Sequence, residues 1–432
     1  MIKSENKSEK IRVLVVGAGF AGITAAKALS DKLSDLSVDT VDITIVSDRN
    51  YHLFTPLLYQ IASGLANPYH VIQPVRSIAA SLDAQFYEAE VKRVDIENKL
   101  VETEKTTIPY DFLILAPGSE PNDFDIPGVK DNAFFLKKLK DGEAIRNQLL
   151  KCLEIASSPE TEADERRRLL SFVVVGGGSS GVELAGTLSD YLKILHKYYS
   201  DLNLKNNARI YLIEAEKRLM PELDERVSRL CTTVLTEKGI TVVLGKKVKS
   251  VGRREIELSD GSKIQSETTI WTAGIRPNSL VSDLNDAIVQ KKNGRIVVDK
   301  QLRLPRFREV YALGDCAYVS TMEGRAVPAT ASAAVQEGQF AGTHLAYTIE
   351  QPEKTAVMNF TYRDKGVMLS LGRFEGVSVF GNGVLIKGLP GWLSWRFVHL
   401  AYISTIRNKM GILLDWTLAI FYRRIVSRTD YK

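Results

Sequence analysis

Apolar positions in this chain are gathered into short continuous runs separated by polar, helix-forming stretches. IRVLVV (residues 11–16), VDITIVS (41–47) and DFLILAPGS (111–119) have the continuous apolar character of strands buried on both faces of a parallel sheet. AGITAAKALSDKL (21–33), between the first two, reads as a helix. A charged helical stretch, KDGEAIRNQLLKCLEIA (140–156), and the polar run SSPETEADERRR (157–168) then interrupt the pattern. It restarts with LLSFVVV (169–175), a helix VELAGTLSDYLKILHKYY (182–199) and a strand ARIYLIE (208–214). TVVLG (241–245), EIELSD (255–260) and SETTIWTAG (266–274) follow, and REVYALGDCA (308–317) closes the series. Alternating strands and helices predict α/β architecture, and the restart predicts two Rossmann-like units.

At the start of each unit the same turn recurs, VLVVGAGFAG (13–22) and FVVVGGGSSG (172–181). In GxGxxG the first glycine permits a tight turn, the second lets backbone approach a pyrophosphate, and the third lets helix and strand pack closely. The helix that follows presents free N–H groups and a partial positive charge to the phosphates. The first turn assigns Gly17, Gly19, Phe20 and Gly22 to one dinucleotide; the second assigns Gly176, Gly178, Ser179, Ser180 and Gly181 to another, with Gly274 of WTAG beside it. An acidic residue ending the next strand binds a ribose hydroxyl. In the second unit this is Glu214, whose carboxylate repels a 2′-phosphate and so favours NADH over NADPH. In the first unit the strand ends VSDR, and either Ser47 or Asp48 reaches the ribose.

Composition adds little to the fold and more to the surroundings. The 432 residues are 44% hydrophobic and 25% charged, an ordinary globular mixture with room for two or three domains. Cys152, Cys231 and Cys316 are far apart and include no CxxC pair, which speaks against a disulfide framework and for a reducing compartment. The five histidines show no HExxH or clustered ligand pattern, so no metal site is expected. The opening MIKSENKSEK has no apolar stretch; it reads as a disordered start and not as a secretory signal.

Charge is uneven. Residues 396–432 hold seven Lys/Arg and two Asp, an excess of five that equals the net charge of +5. The same tail, LPGWLSWRFVHLAYISTIRNKMGILLDWTLAIFYRRIVSR, is rich in Trp, Tyr, Ile and Leu. Its longest near-apolar run, Met410 to Tyr422, is 13 residues and contains Asp415. That is short of the ~20 needed to span a bilayer. Aromatic residues beside a basic excess suit a helix lying in the membrane interface. An apolar helix packed on the body, or at a dimer contact, is the alternative. The apolar content excludes a nucleic-acid patch.

GDCA (314–317), a strand ending in Gly-Asp far downstream of the first turn, resembles the second FAD-contacting motif of two-dinucleotide flavoproteins, where the aspartate, here Asp315 after Gly314, binds the ribityl chain. LAPGS (115–119), with Gly118, resembles the turn that closes their FAD domain. YHLFTPLLYQIASG (51–64), GVELAG (181–186), YALGDCA and FTYRDKGVMLSLGRFEGV (360–377) narrow the match: nearly the whole chain resembles the type II NADH dehydrogenases, single-chain, non-pumping NADH:quinone oxidoreductases. The resemblance implies FAD in the first unit and NADH as substrate in the second. It implies domains of 1–120 with 272–350 for FAD, 121–271 for NADH, and a membrane-associating region at 351–432. Thr55, Pro56 and Leu57 are expected beside the isoalloxazine, and Glu183 near flavin and nicotinamide. PATASAAVQEG (328–338) departs from the family's AQxxAxQ-like quinone stretch: Ser332 replaces the first glutamine, while Ala333 and Gln336 remain as quinone contacts. Glu183 and Gln336 are the expected catalytic residues. The expected partners are NADH, a membrane quinone, the membrane surface on the cytoplasmic face of an inner membrane, and a second copy in a homodimer. The alternatives on this fold are a sulfide:quinone oxidoreductase, which needs paired cysteines that this chain lacks after Cys316, and a reductase of a small ferredoxin- or rubredoxin-like protein.

Overall fold

The computed structural model describes residues 10–321, 324–355, 357–381, 383–421 and 424–428. The charged start at 1–9 and Tyr422 of the apolar run therefore lie outside the described residues. The chain forms two compact units, Met1–Leu53 with Gln73–Glu120 and Arg276–Asp364, and Phe54–Ile72 with Pro121–Ile275 and Lys365–Lys432. Both α/β units read from the alternating pattern are present.

The first unit is built on a six-stranded sheet in the order Arg303–Leu304, Phe307–Ala312, Phe112–Leu115, Ile11–Val16, Val41–Ser47, Gln85–Glu88. All neighbours are parallel except the edge pair 303–304 and 307–312. Val13 sits opposite both Ile43 and Phe112, and Val13, Leu14, Val15 and Val16 are all buried. Buried on both faces, such strands have no polar side to display, which is why the sequence shows continuous apolar runs. The helix Phe20–Asp35 packs on the helix Ala331–Glu350 within the core. Two small three-stranded sheets, one of them antiparallel (Val91–Asp95, Leu100–Thr103, Thr107–Pro109), belong to the same unit.

The second unit repeats the plan with a fully parallel five-stranded sheet in the order Ala133–Phe135, Thr268–Trp271, Ser171–Val175, Arg209–Glu214, Ile240–Leu244. Its Ser179–Leu195 helix is buried along nearly its whole length, from Gly181 to Leu192. Residues 365–432 cluster with this unit. They form a three-stranded antiparallel sheet (Gly366–Ser370, Gly376–Phe380, Leu385–Lys387) and two helices, Gly388–Tyr402 and Ile406–Phe421. No helix of the described residues is long and apolar enough to cross a membrane.

Candidate functional site

In the first unit the Ile11–Val16 strand has Val41–Ser47 on one side and Phe112–Leu115 on the other, so strand order reverses at its end. Ligands of open α/β sheets bind at this point, outside the carboxyl ends of the strands. The chain turns here at Gly17, whose φ of +104° disfavours any side chain, and whose added Cβ would lie 2.1 Å from the Ala116 carbonyl oxygen. A Cβ at Gly22 would lie 2.0 Å from the Gly17 carbonyl oxygen, so the fold itself demands glycine at both positions. Gly19 is different. Its φ of −81° suits any residue, and an added Cβ would meet nothing within 4 Å. Packing gives no reason for glycine there; a ligand approaching from outside does. The helix that begins at Phe20 has no side-chain cap, so its first N–H groups face the same opening.

The second unit reproduces this contrast. Gly176 has φ +109°, and a Cβ on Gly181 would lie 1.9 Å from the Gly176 carbonyl oxygen, whereas a Cβ on Gly178 would meet nothing within 4 Å. The helix from Ser179 is likewise uncapped, and Ser179 and Ser180 are exposed on its first turn. Glu214 ends its strand half-buried and accepts the Gly177 N–H at 2.6 Å and the Glu216 N–H at 2.8 Å. Gly274, at φ +123°, accepts the Asn122 N–H through its carbonyl at 3.1 Å. The crowded first and third glycines and the open second one fit a pyrophosphate at each turn. The residues present therefore fit a dinucleotide such as FAD or NADH in each unit.

Around the first turn several side chains hold the loops in place. Asp315 accepts a hydrogen bond from Ser119 Oγ. Gly314, at φ +72°, donates its N–H to Glu337 at 2.6 Å. Glu337 is 3% exposed, and burial pushes its carboxyl up to about 8, partly offset by that N–H. Gly118, at φ +76°, accepts the Asn278 N–H at 3.1 Å. Ser47 is buried at the end of its strand, and its hydroxyl donates to Asp48, which lies exposed one residue on. His52 bonds the Ala18 carbonyl through Nδ1 at 3.0 Å and meets the Phe20 ring edge-on at 5.0 Å. Burial lowers the His52 pKa, so the ring is neutral and Nδ1–H is the donor. Sequence reasoning singled out neither Glu337 nor His52. Glu337 had one signal, a glutamate on the same helical face as Ala333, Ala334 and Ala341. His52 had none.

Thr55, Pro56 and Leu57 form one 3-10 turn of the second unit, Leu57 fully buried and the other two half-buried. Ser332, Ala333 and Gln336 lie on the Ala331–Glu350 helix of the first unit. Both ends of the Gln336 amide are engaged by Arg363 backbone, Nε2 donating to its carbonyl at 3.1 Å and Oε1 accepting its N–H at 3.0 Å. Cys316 is buried with its thiol pushed up to about 12, bonded to the Leu313 carbonyl at 3.2 Å; it is a packing residue and no nucleophile.

Glu183, one turn into the second uncapped helix, is turned inward and 8% exposed. It accepts the Ser370 N–H at 2.9 Å. The contact is set by Gly186 one turn later, where an added Cβ would lie 2.4 Å from the Leu371 carbonyl oxygen; only glycine lets this strand end approach so closely. Tyr59 is buried nearby, its phenol raised well above 10 by burial and then by the Glu183 charge, with its oxygen accepting from Gln60 at 3.1 Å. Trp395 Nε1 faces Glu183 without a hydrogen bond of ordinary geometry. Burial pushes the Glu183 carboxyl up to about 8, so near neutral pH it carries a proton, in a surrounding that can take the proton up or release it.

Among known proteins, residues 11–338 match the family described as pyridine nucleotide-disulphide oxidoreductase. An internal alternative NAD(P)H-ubiquinone oxidoreductase A1, mitochondrial, of Solanum tuberosum is 31% identical, covering 99% of this chain and 90% of that protein. The type II NADH:quinone oxidoreductase Ndh of Mycobacterium tuberculosis is 30% identical, covering 96% of this chain and 89% of its own length. The structure of NDH2 from Plasmodium falciparum in complex with NADH superposes with a TM-score of 0.89 at 21% identity, covering 97% of this chain and all of that one.

Proposed function

We propose a function from one premise: the chain belongs to the pyridine nucleotide-disulphide oxidoreductase family and, within it, to the type II NADH:quinone oxidoreductases. It is a flavoprotein enzyme that oxidises NADH and reduces a quinone without pumping protons. The observation that carries this reading is the pair of open glycines, Gly19 and Gly178, each free of any packing reason at the mouth of an uncapped helix. FAD, when bound, supplies the redox chemistry, accepting a hydride from NADH and passing two electrons on to quinone.

The protein's own residues bind and orient. The turn Gly176–Gly181 holds the NADH pyrophosphate, and Glu214 takes the ribose hydroxyls with the lone pairs that its two backbone bonds leave free. A 2′-phosphate at the same place meets a carboxylate, which selects NADH. Gly17, Gly19, Phe20 and Gly22 hold the FAD pyrophosphate, and Asp315, set by Ser119 and by the Gly314–Glu337 bond, takes the ribityl chain. Ser47 is the better placed of the two ribose candidates, being buried at the strand end. Thr55, Pro56 and Leu57 line the flavin. Glu183 relays the one proton that quinol formation takes up beyond the hydride, its pKa near 8 matching that task. Gln336 grips the quinone head by exchanging its bond to Arg363 for one to the substrate, with Ser332 and Ala333 beside it.

The C-terminal helices support docking on a membrane surface. Leu389, Leu393 and Phe397 stand at successive turns of one helix and are 49%, 53% and 76% exposed. Ile406, Met410, Leu413, Leu414 and Leu418 form the outer face of the other. Its inner face is stapled down by Asp415 to the Asn67 N–H (2.9 Å) and His70 (2.7 Å), Asn408 to the Ile72 carbonyl (2.6 Å) and Trp416 to Gln60 (2.8 Å). A helix held on one side and apolar on the other is suited to lying in the interface. A lipid-soluble acceptor gives that surface a purpose that a small protein acceptor does not. NADH supply puts it on the cytoplasmic face of an inner membrane, and we extend the reading to a homodimer.

Anaerobic turnover tests the function: the flavoprotein is given NADH or NADPH with a short-chain quinone. NADH oxidation coupled one-to-one to quinol formation, with NADPH much slower, is expected. NADH oxidation with no quinol overturns the quinone assignment.

A further inference from the structure

Within the second unit, a narrow cleft open to solvent, with room inside for little more than one water molecule (about 20 Å³), lies against the two C-terminal helices. Three guanidinium groups border it, those of Arg373, Arg396 and Arg424, together with Trp392, Trp416 and Thr187. Arg396 is held between two indoles, its Cζ 3.8 Å from the Trp392 ring centre and 4.5 Å from that of Trp416. Its Nε is buried and has no hydrogen-bond partner among the described residues. Arg424 is only 7% exposed; Nη1 donates to the Thr187 carbonyl at 3.3 Å, and its Nε too is buried without a partner among the described residues. Arg373 is exposed at the rim and donates through Nη2 to the Ile420 carbonyl at 3.1 Å. Burial lowers both inner arginines, Arg396 to about 9 and Arg424 to about 10.

Among the described residues no carboxylate is bonded to these three guanidinium groups. Asp190, whose charge acts on Arg424, is already bonded to Lys238 Nζ at 2.8 Å and to the Arg373 backbone N–H at 2.5 Å. Buried guanidinium donors without partners are costly, and an anion arriving from outside removes that cost. The planar fork of arginine matches the paired oxygens of a phosphate.

We propose that the mouth of this cleft, where Arg373 and Arg396 reach solvent, binds the phosphate of an anionic membrane phospholipid. The inference rests on the membrane-docking reading above. Position favours a lipid over a soluble anion: Arg396 precedes the exposed Phe397, Trp392 precedes the exposed Leu393, and Ala419 of the cleft follows the exposed Leu418. Arg396 therefore sits on a helix whose outer face would carry acyl chains, and Arg373 and Arg424 flank it from outside the two helices.

The test is sedimentation of the full-length flavoprotein with vesicles of neutral phosphatidylcholine, with or without a fraction of phosphatidylglycerol. The wild type is expected to bind the anionic vesicles about tenfold more tightly, and Arg396→Gln and Arg424→Gln to lose most of that preference. Arg407→Gln removes the same charge from an exposed position on the Ile406–Phe421 helix and should lose little. Arg373→Gln, at the exposed rim, gives a milder loss and serves if an inner variant fails to fold, which flavin content reports. Equal losses in all variants reduce the effect to diffuse charge and overturn the site. Equal binding to both vesicle types overturns the site while docking stands; binding to neither overturns docking itself. Inorganic phosphate raising the melting temperature as much as the anionic vesicles do overturns the lipid assignment.

Discussion

Glu183 and Ser370 are 187 residues apart in sequence, yet the Ser370 N–H is bonded to the Glu183 carboxylate at 2.9 Å. That single backbone bond is what makes a buried acid tolerable on the helix that opens at the second glycine turn, and it does not fully offset burial: the carboxyl titrates at about 8. Below that pH the group is neutral and can donate; above it the charge is held in a setting of Tyr59 and Trp395 with no cation bonded to it among the described residues.

A pH-dependent stability follows. The folded pKa is raised above that of the unfolded chain, so the wild type loses stability from this group as pH rises from about 4.5 to about 8. At pH 7 the loss is on the order of 3 kcal/mol. Glu183→Gln lacks this titration. Its melting temperature relative to wild type should climb steadily between pH 5 and 8, and a constant difference across that range would contradict the shifted acid.

The two glycine turns should fail separately. Gly22→Val drives a side chain into the Gly17 carbonyl and should abolish bound flavin, read as loss of the yellow absorbance. Gly181→Val does the same to the Gly176 carbonyl and should keep its flavin while the KM for NADH rises about tenfold or more. Flavin loss in the second variant would reverse the assignment of the two nucleotides.

Glu214→Ala removes a carboxylate that bonds Gly177 and Glu216 N–H groups and, by this account, the ribose. kcat/KM for NADH should fall roughly 10- to 100-fold, the range for a charge-assisted bond, while NADPH loses less. A parallel fall for both nucleotides would show that the residue only shapes the loop.

Phe397→Glu and Leu414→Glu alter residues 76% and 55% exposed, so melting temperature should stay near that of the wild type. A charge placed in the acyl region costs about 2.5–3.5 kcal/mol, and binding to neutral vesicles should weaken by tenfold or more. Unchanged vesicle binding would leave the exposed face to a protein contact.

What the sequence made legible was local. Gly17 and Gly176 adopt conformations that only a turn of this kind needs, and the apolar strands before them reach the core in unbroken runs, so turn, strand and helix could be read together. Glu214 was legible because it ends a strand that the same pattern defines. Long-range contacts were not legible. Phe54–Ile72 follows a strand of the first unit in sequence and folds with the second, and Gln336 spends its amide on Arg363. The arginines at 373, 396 and 424 read as scattered basic residues of a tail; only folding brings them around one cleft. His52 and Glu337 act by bonding the backbone of Ala18 and Gly314, partners that residue type and spacing do not announce.

The central claim is that electrons enter from NADH and leave to quinone through one bound flavin. Double-mixing anaerobic stopped-flow at the flavin absorbance measures this directly: NADH is mixed first, and a short-chain quinone after bleaching is complete. The account predicts fast bleaching by NADH, slow bleaching by NADPH, and full recovery of the oxidised spectrum within a single turnover of quinone addition. Bleaching by NADH followed by no recovery with quinone would contradict it and send the electrons to a different acceptor.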